Sequence, residues 1–443
     1  MSRCNSLLGR PQPPHFLSDS NIHPHVSPYG LVHTLCSQTF VYLKDAPYYG
    51  EVENNHYDNT SSTTKPSLKN FLQMIPTVLV AALPAFLAVF AGVAEATTCN
   101  ATTPCPASAP CCSEFGFCGT DHFCLGGCNP FASRSFDSCR PNPLCKDATL
   151  SFADQSRILS NYTLFDGNST EYDWVVESGN IQNSNGDLAL TLTEANGGTR
   201  VSTTRYVHYG TVTAKLKTGR WGGVVTAFIT MSDIKDEIDW EFPGAATTEA
   251  QSNYFWQGVI PTPSVGETHR DLTDTFSNYH DYTIDWQPET LTFSIDGSVV
   301  RTVRKSETFD SAGVAHYPVT PSRVQLSIWP AGIAGSAQGT VDWAGGMIDW
   351  NNADYRAAGQ FYALVREVSI RCTNAQPVSA TSNITSYVYS GSKNTSTAPT
   401  ILYSNRSTLL NGAGNLSPIV GGVGGTMLAL ALGLLLGANA LLL

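Results

Sequence analysis

Charge is scarce in this chain of 443 residues: 14% of positions are Asp, Glu, Lys or Arg, and the acids outnumber the bases 36 to 25. No strongly basic patch is available to neutralise phosphates, which excludes nucleic acid as a partner. Paired C-x-x-C units are absent, which removes the usual zinc framework. Between about 146 and 373 there is no long run with helical periodicity, leaving a region built from strands. What abounds instead is Ser, Thr and Asn, a composition that suits an exported, glycosylated β-rich protein.

The two ends carry the long apolar runs. Phe71 to Ala96 is apolar and closes on Ala94-Glu95-Ala96, the form of a secretory cleavage site, so 71–96 is expected to be a signal peptide. The preceding 1–70 has no sustained periodicity, and its His15, His23, His25, His33 and His56 have no metal-ligand spacing. It is expected to be a disordered leader, with translation starting nearer Met74; the alternative is a cytoplasmic tail before a signal-anchor helix. At the other end Met427 to Leu443 is apolar with no basic residue after it. Small residues, a spacer and a hydrophobic tail predict a glycosylphosphatidylinositol anchor attached at Asn411, with 412–443 removed; a C-terminal membrane helix is the alternative. Sequons at Asn100, Asn161, Asn168, Asn383, Asn394 and Asn405 all lie between these ends, and 374–411 is expected to be a glycosylated linker. The working part is thus expected outside the cell, at the plasma membrane.

Nine of the twelve cysteines crowd into Cys99 to Cys145. In an exported chain this density predicts a disulfide framework, because so short a stretch buries too little apolar surface to fold unaided. Nine is odd, so Cys372 is a candidate tenth partner; the spacing does not assign the connectivity. Within this 97–145 module, "CCSEFGFCGTDHFC" from Cys111 to Cys124 resembles the hevein-type chitin-binding module, carbohydrate-binding family 18. The resemblance rests on Cys111-Cys112, Ser113, Phe115-Gly116-Phe117, Cys118-Gly119 and Phe123. It implies that the Ser113 hydroxyl bonds an N-acetyl group while Phe115, Phe117 and Phe123 hold the sugar ring. Independently of the family, aromatic faces on a rigid loop suit pyranose C–H groups at little ordering cost. Phe stands where that family has Trp or Tyr, and the Cys118 to Cys124 interval is one residue short. A structural knot with the aromatics as its small core is the other reading.

From 146 to 373 short alternating runs and turn signals recur. Leu188, Leu190 and Leu192 alternate with Ala189, Thr191 and Thr193, and Leu291, Phe293 and Ile295 alternate before an Asp296-Gly297 turn. The expected fold is all-β, a two-sheet jelly-roll sandwich. All eight tryptophans lie here, enough for a core and a sugar-lined groove.

One stretch concentrates the chemistry: "SDIKDEIDWEFPG", Ser232 to Gly244. On a strand, alternate residues share a face, which groups Glu237, Asp239 and Glu241 and turns Ile238, Trp240 and Phe242 to the core. Asp236 falls off the acidic face and is expected to make a structural hydrogen bond. Glutamates four residues apart have Cα atoms roughly 13 Å apart. Side chains leaning inward can bring the carboxyl groups to the ~5–5.5 Å of a retaining glycosidase pair. Asp239 between them is expected to titrate with them as a cluster. A calcium site and a solvated acidic edge are the bland alternatives; a lone strand offers few ligands to one ion, and the apolar alternate residues indicate burial.

Glu237-Ile-Asp239-Trp-Glu241 matches the E-x-D-x-E signature of glycoside hydrolase family 16, and the surroundings resemble its fungal Crh branch of chitin-glucan crosslinking transglycosylases. "GTRVSTTRYVHYGTVTAKLKTG", "NYFWQG", "HDYTIDWQPETLTFSIDG", "RVQLSIWPAG" and "GTVDWAGG" follow that branch in order. The resemblance implies Glu237 as nucleophile, Asp239 as its helper and Glu241 as acid/base, also touching substrate. It implies sugar contacts at Gln325, Trp329 and Thr340, with Asn253 and Trp343 as further candidates; Gln325 is Arg in some relatives. Core roles for Trp329 and Trp343 and a turn-capping role for Asn253 are the alternatives. No cofactor and no metal is expected, and the implied partners are a chitin donor and a β-glucan acceptor, with the protein a monomer. Rival readings are a plain hydrolase of chitin or β-glucan and a non-catalytic chitin-binding wall protein.

Overall fold

The computed structural model describes residues 97–373, 384–393 and 397–411. The expected leader, signal peptide and removed tail, and the sequons at Asn383 and Asn394, lie outside the described residues. Among the described residues no helix is long and apolar enough to cross a membrane.

Two eight-stranded sheets make the body. The first runs, in spatial order, through Glu267–His269, Ala250–Phe255, Glu237–Pro243, Val224–Ser232, Ser322–Pro330, Thr199–Val207, Trp174–Ser178 and Ile158–Leu159. Its strands pair antiparallel except at the last pair. The second is built on Ser298–Arg304, Thr290–Ile295, His280–Trp286, Gly210–Lys217, Phe361–Cys372, Asp187–Leu192 and Ile181–Ser184, with Ala148–Ser151 also paired to Phe361–Cys372. The runs that alternate in the sequence become these strands. Leu188, Leu190, Leu192, Leu291 and Phe293 are fully buried between the sheets. Asp296 and Gly297 both take positive φ, the two-residue turn that matches the twist of a hairpin.

Trp240 sits at the centre of the core. Its ring meets Phe293 edge-on at 5.3 Å and Tyr282 at 5.5 Å, and its indole N–H donates to the Thr283 carbonyl. Ile238 and Phe242 are buried on the same side. The core face of the acidic strand is thus anchored in aromatic packing, and its other face has little freedom to shift register.

Four disulfides knit the small module: Cys99–Cys112, Cys105–Cys118, Cys111–Cys124 and Cys128–Cys139. The odd cysteine, Cys145, crosses 227 residues to Cys372 at the end of a strand of the second sheet. Sulfurs of Cys99, Cys105 and Cys112 cluster closely enough to suggest a metal, but all three are disulfide-bonded.

Within the expected linker 374–411, the described residues 384–393 and 397–411 include regular structure. Ser386–Ser390 and Thr400–Ser404 form a hairpin that adds to Asn142–Pro143 as a three-stranded sheet. Tyr387 is buried against Tyr403 and His208. The physical reason lies in "SYVYS" and "TILYS", short strands whose aromatic and β-branched residues are masked by the surrounding Ser, Thr and Asn. Leu410 N donates to the Asp166 carbonyl, so the segment is held to the body nearly as far as the exposed Asn411. Of the described sequons, Asn100, Asn161 and Asn405 are exposed and Asn168 is half-buried.

Candidate active site

The strand Glu237–Pro243 lies between Val224–Ser232 and Ala250–Phe255. Its entry is a tight turn: Lys235 takes a positive φ of 72°, Ser232 N donates to the Asp236 carbonyl and Asp236 N donates back to Ser232 Oγ. The Asp236 carboxylate is fully buried and accepts from Gln257 N, Val319 N, Thr320 N and Thr320 Oγ1 at 2.7–3.1 Å. Burial pushes its carboxyl above the ordinary range while these hydrogen bonds hold it back. Asp236 therefore ties two segments, at Gln257 and at Val319-Thr320, to the start of the acidic strand. Asp236→Ala is expected to destabilise the chain by about 3 kcal/mol, because buried amides lose their acceptor; urea unfolding reads it.

Register places the acidic face in rows across the first sheet. Glu241 stands opposite Ala227, Ala227 opposite Ser327, and Ser327 opposite Arg200. Asp239 begins the row Ile229, Gln325, Ser202, with Asn253 on its other flank. Glu237 begins the row Met231, Arg323, Tyr206. Successive members of a row are about 4.8 Å apart.

The two glutamates are differently held. Burial pushes Glu237 up to about 7, opposed by a hydrogen bond with Asp239 and by the Lys235 charge. Burial pushes Glu241 further, to about 8, and the negative charge of Glu237 adds to that rise. The Asp239 hydrogen bond and the Lys235 charge favour ionisation at Glu237, and a negative charge there opposes ionisation of Glu241. An ionised and a protonated carboxyl on one face can perform nucleophilic attack and proton donation together.

The remaining sequence-predicted residues lie on the first sheet, on one short helix and in the module. Gln325 is 2% exposed, yet neither its Oε1 nor its Nε2 has a hydrogen-bond partner among the described residues. Trp329 stacks on Trp343, with ring centroids 6.0 Å apart and planes at 23°. Trp343 belongs to the short helix Gln338–Trp343, and its indole N–H donates to Gln251 Oε1, the residue opposite Glu241. Thr340 is half-buried one turn earlier in that helix. Asn253 Oδ1 accepts from Tyr254 N, the local bond of a residue fixing its own backbone. In the module, Phe115 and Phe117 are exposed, Ser113 Oγ accepts from Phe117 N, and Phe123 is half-buried over Gly119.

An ion cluster that the sequence does not announce lies two to three strands across the first sheet from the glutamates. Arg200 pairs with Glu114 of the module and with Glu177, and Arg323 also pairs with Glu177. Lys235 Nζ is 3.9 Å from Glu114. No local pattern links positions so far apart in the chain; the only trace is basic residues inside otherwise apolar strands.

The profile of "Glycosyl hydrolases family 16" matches residues 168–345, a span containing the acidic strand and its neighbours. "Crh-like protein 3" of Botryotinia fuckeliana is 43% identical over 298 residues, covering 67% of this chain and 66% of that protein. "Crh-like protein 2" of Aspergillus fumigatus is 44% identical over 261 residues, 58% of each chain, so this chain spans less than two thirds of these relatives. "Probable glycosidase CRR1" of Saccharomyces cerevisiae is 32% identical, with 76% of its length covered. On these matches and the acidic strand at their centre, the chain belongs to glycosyl hydrolases family 16, with Crh-like proteins among its relatives.

Proposed function

We propose that the chain is a cell-wall transglycosylase that cleaves β-1,4-linked N-acetylglucosamine chains and passes them to β-glucan. The observation that carries this reading is the strand face itself: Glu237, Asp239 and Glu241 alternate along Glu237–Pro243, with Asp239 and Lys235 favouring ionisation of Glu237 and the Glu237 charge opposing ionisation of Glu241. Glu237 attacks the anomeric carbon while Glu241 protonates the departing glycosidic oxygen, leaving a glycosyl ester on Glu237. Glu241, now ionised, takes the proton of the incoming hydroxyl, and that oxygen displaces the ester with a second inversion. Asp239 steadies the Glu237 carboxylate by hydrogen bonding. Gln325 offers its unpartnered amide to the donor sugar, and the Trp329–Trp343 pair supplies an apolar wall beside Glu241. Asn253 and Thr340 complete the sugar contacts, no metal or cofactor enters any step, and the enzyme works as a monomer. Export, sugar binding by Ser113, Phe115, Phe117 and Phe123, and a lipid anchor at Asn411 holding the enzyme at the outer leaflet belong to the same reading.

The chain is to be incubated with N-acetylglucosamine oligomers and a labelled β-glucan oligomer. Label in larger products is expected; shortened oligomers with no label transfer would make it a hydrolase.

The pH dependence follows from the pair. In kcat/KM, activity is expected to fall below about pH 7 as Glu237 takes up a proton and above about pH 8 as Glu241 loses one. Because Lys235 lowers the Glu237 value, Lys235→Met is expected to move the acid limb to higher pH; an unmoved limb rejects this assignment.

A further inference from the structure

The small module grips one turn of the first sheet at two points. The turn 233–236 opens the acidic strand, and Glu237 is the first residue of that strand. At the near end of the turn Asp233 is buried. Its Oδ1 accepts from Gly127 N of the module at 3.0 Å and from Tyr206 OH at 2.8 Å, and its Oδ2 from Asn142 Nδ2 at 2.9 Å. At the far end Lys235 Nζ stands 3.9 Å from Glu114 Oε2 of the module. Both grips sit beside crosslinks: Glu114 lies between Cys112 and Cys118, and Gly127 precedes Cys128, all three disulfide-bonded. Glu114 is fixed in turn by Arg200, which Glu177 holds from behind.

This turn needs holding. Lys235 takes a φ of 72°, a left-handed conformation uncommon outside glycine, with its N–H on the Ser232 carbonyl and its own carbonyl accepting from Gly258 N. In the ladders on both sides Glu237 is the pair nearest the turn, opposite Met231 and Phe255, so its position follows that of the turn. Glu241 is paired four residues further along. Glu114 faces the Lys235 ammonium from the module, and Asp233, Asp236 and Glu237 belong to its own segment; Gln257 and Gly258, which bond to the turn, are neutral. Around Glu237, Asp239 and Glu241 share its strand, Met231 and Phe255 are uncharged, and Arg323, next in its row, is paired with Glu177. Arg200, Lys235 and Arg323 outweigh burial and hold the Glu114 carboxyl below the ordinary range, so it keeps its charge. Lys235 in turn favours an ionised Glu237.

We propose that the small module is a positioning element of the active site: its Glu114 and Gly127 fix Lys235 and Asp233, and so fix the turn from which Glu237 projects. Glu114 is a positioning residue that acts on Glu237 through Lys235. Gly127 acts through Asp233, without any change of charge. The module serves the reaction in this way whether or not it also holds sugar, and the catalytic unit extends beyond the strands that carry the glutamates. This deepens the function proposed above and rests on Glu237 as its nucleophile, but the link from Glu114 to Glu237 can be read without turnover.

NMR titration of the Glu237 carboxyl in the full chain tests it. Glu114→Gln is expected to raise the Glu237 midpoint by about 0.5 to 1 in pH, because the released ammonium swings toward solvent and away from the carboxylate. Glu114 is neutralised by Arg200 and does not itself act on Glu237, so the same change made in Lys235→Met should move the midpoint no further. Gly127→Ala strains a residue at a φ of +83° and presses a Cβ to 3.3 Å from that of Glu114, loosening both grips. It is expected to lower kcat about three- to tenfold with the donor KM changed less than about twofold, in protein whose module disulfides are intact by peptide mapping. A Glu237 midpoint that stays in place or falls in Glu114→Gln would overturn the proposal. So would an equal rise in the Lys235→Met background, the mark of general loosening, or an unchanged kcat in Gly127→Ala. A parent chain that neither cleaves nor transfers, but shows the expected titration shifts, would reject the proposed reaction and leave the module's grip on Glu237 standing.

Discussion

Glu237→Gln is expected to lower both cleavage and transfer by about 10⁴-fold or more, with donor binding retained. The amide keeps the shape of the side chain but has no nucleophilic oxygen, so no glycosyl ester forms and every later step fails. Glu241→Gln is expected to behave differently. Loss of the proton donor costs about 10²- to 10⁴-fold on natural linkages. With a donor whose leaving group needs no proton, the first step survives and the second, which needs a base, becomes limiting. A burst followed by slow turnover is therefore expected for Glu241→Gln and no burst for Glu237→Gln. The two variants also report the electrostatics: removing the Glu237 charge takes away one cause of the high Glu241 value, so Glu241 should titrate lower in Glu237→Gln, with burial keeping it above the ordinary range. Stopped-flow measurement with a chromogenic donor and carboxyl titration by NMR check both points.

The second large effect concerns stability. Cys145–Cys372 closes a loop with a sequence separation of 227, which encloses both sheets. In the chain-entropy description a loop of this size restricts the unfolded chain by about 5 kcal/mol. Replacing both cysteines by serine is expected to lower the melting temperature by roughly 10–20 °C in a domain of this length. The four module disulfides, each closing 11 to 13 residues, should be individually weaker constraints. Calorimetry of the serine pair against the parent chain measures the difference. A shift of only a few degrees would mean that the sheets are held by packing alone.

What the sequence made legible was local. Alternation divided the acidic strand into a core face, with Ile238, Trp240 and Phe242 buried, and a polar face. It also set Asp236 apart as a structural residue, which it is, with four hydrogen bonds to its carboxylate. Leu188 to Leu192 and Leu291 to Ile295 were visible as strands for the same reason, since a period of two needs only neighbouring residues. What lay hidden depends on contacts between distant positions. The Glu114–Arg200–Glu177–Arg323 cluster joins residues from a disulfide loop and three strands, and nothing in any single segment signals it. The bond from Trp343 to Gln251 likewise needs a helix to fold back over the sheet. The hairpin within 374–411 was hidden by composition, because its short strands are diluted by serine and asparagine. Pairing of Cys145 with Cys372 could be suspected from the odd count, but only the second sheet brings the two together.

In the proposed double displacement Glu237 carries the sugar between donor and acceptor. Mass spectrometry of the chain quenched during turnover, or after a slow fluorosugar donor, tests it most directly. A single glycosyl adduct is expected, with fragments that assign the ester to Glu237, and it should disappear when β-glucan is added. An adduct on Glu241, or sustained transfer by Glu237→Gln, would contradict it.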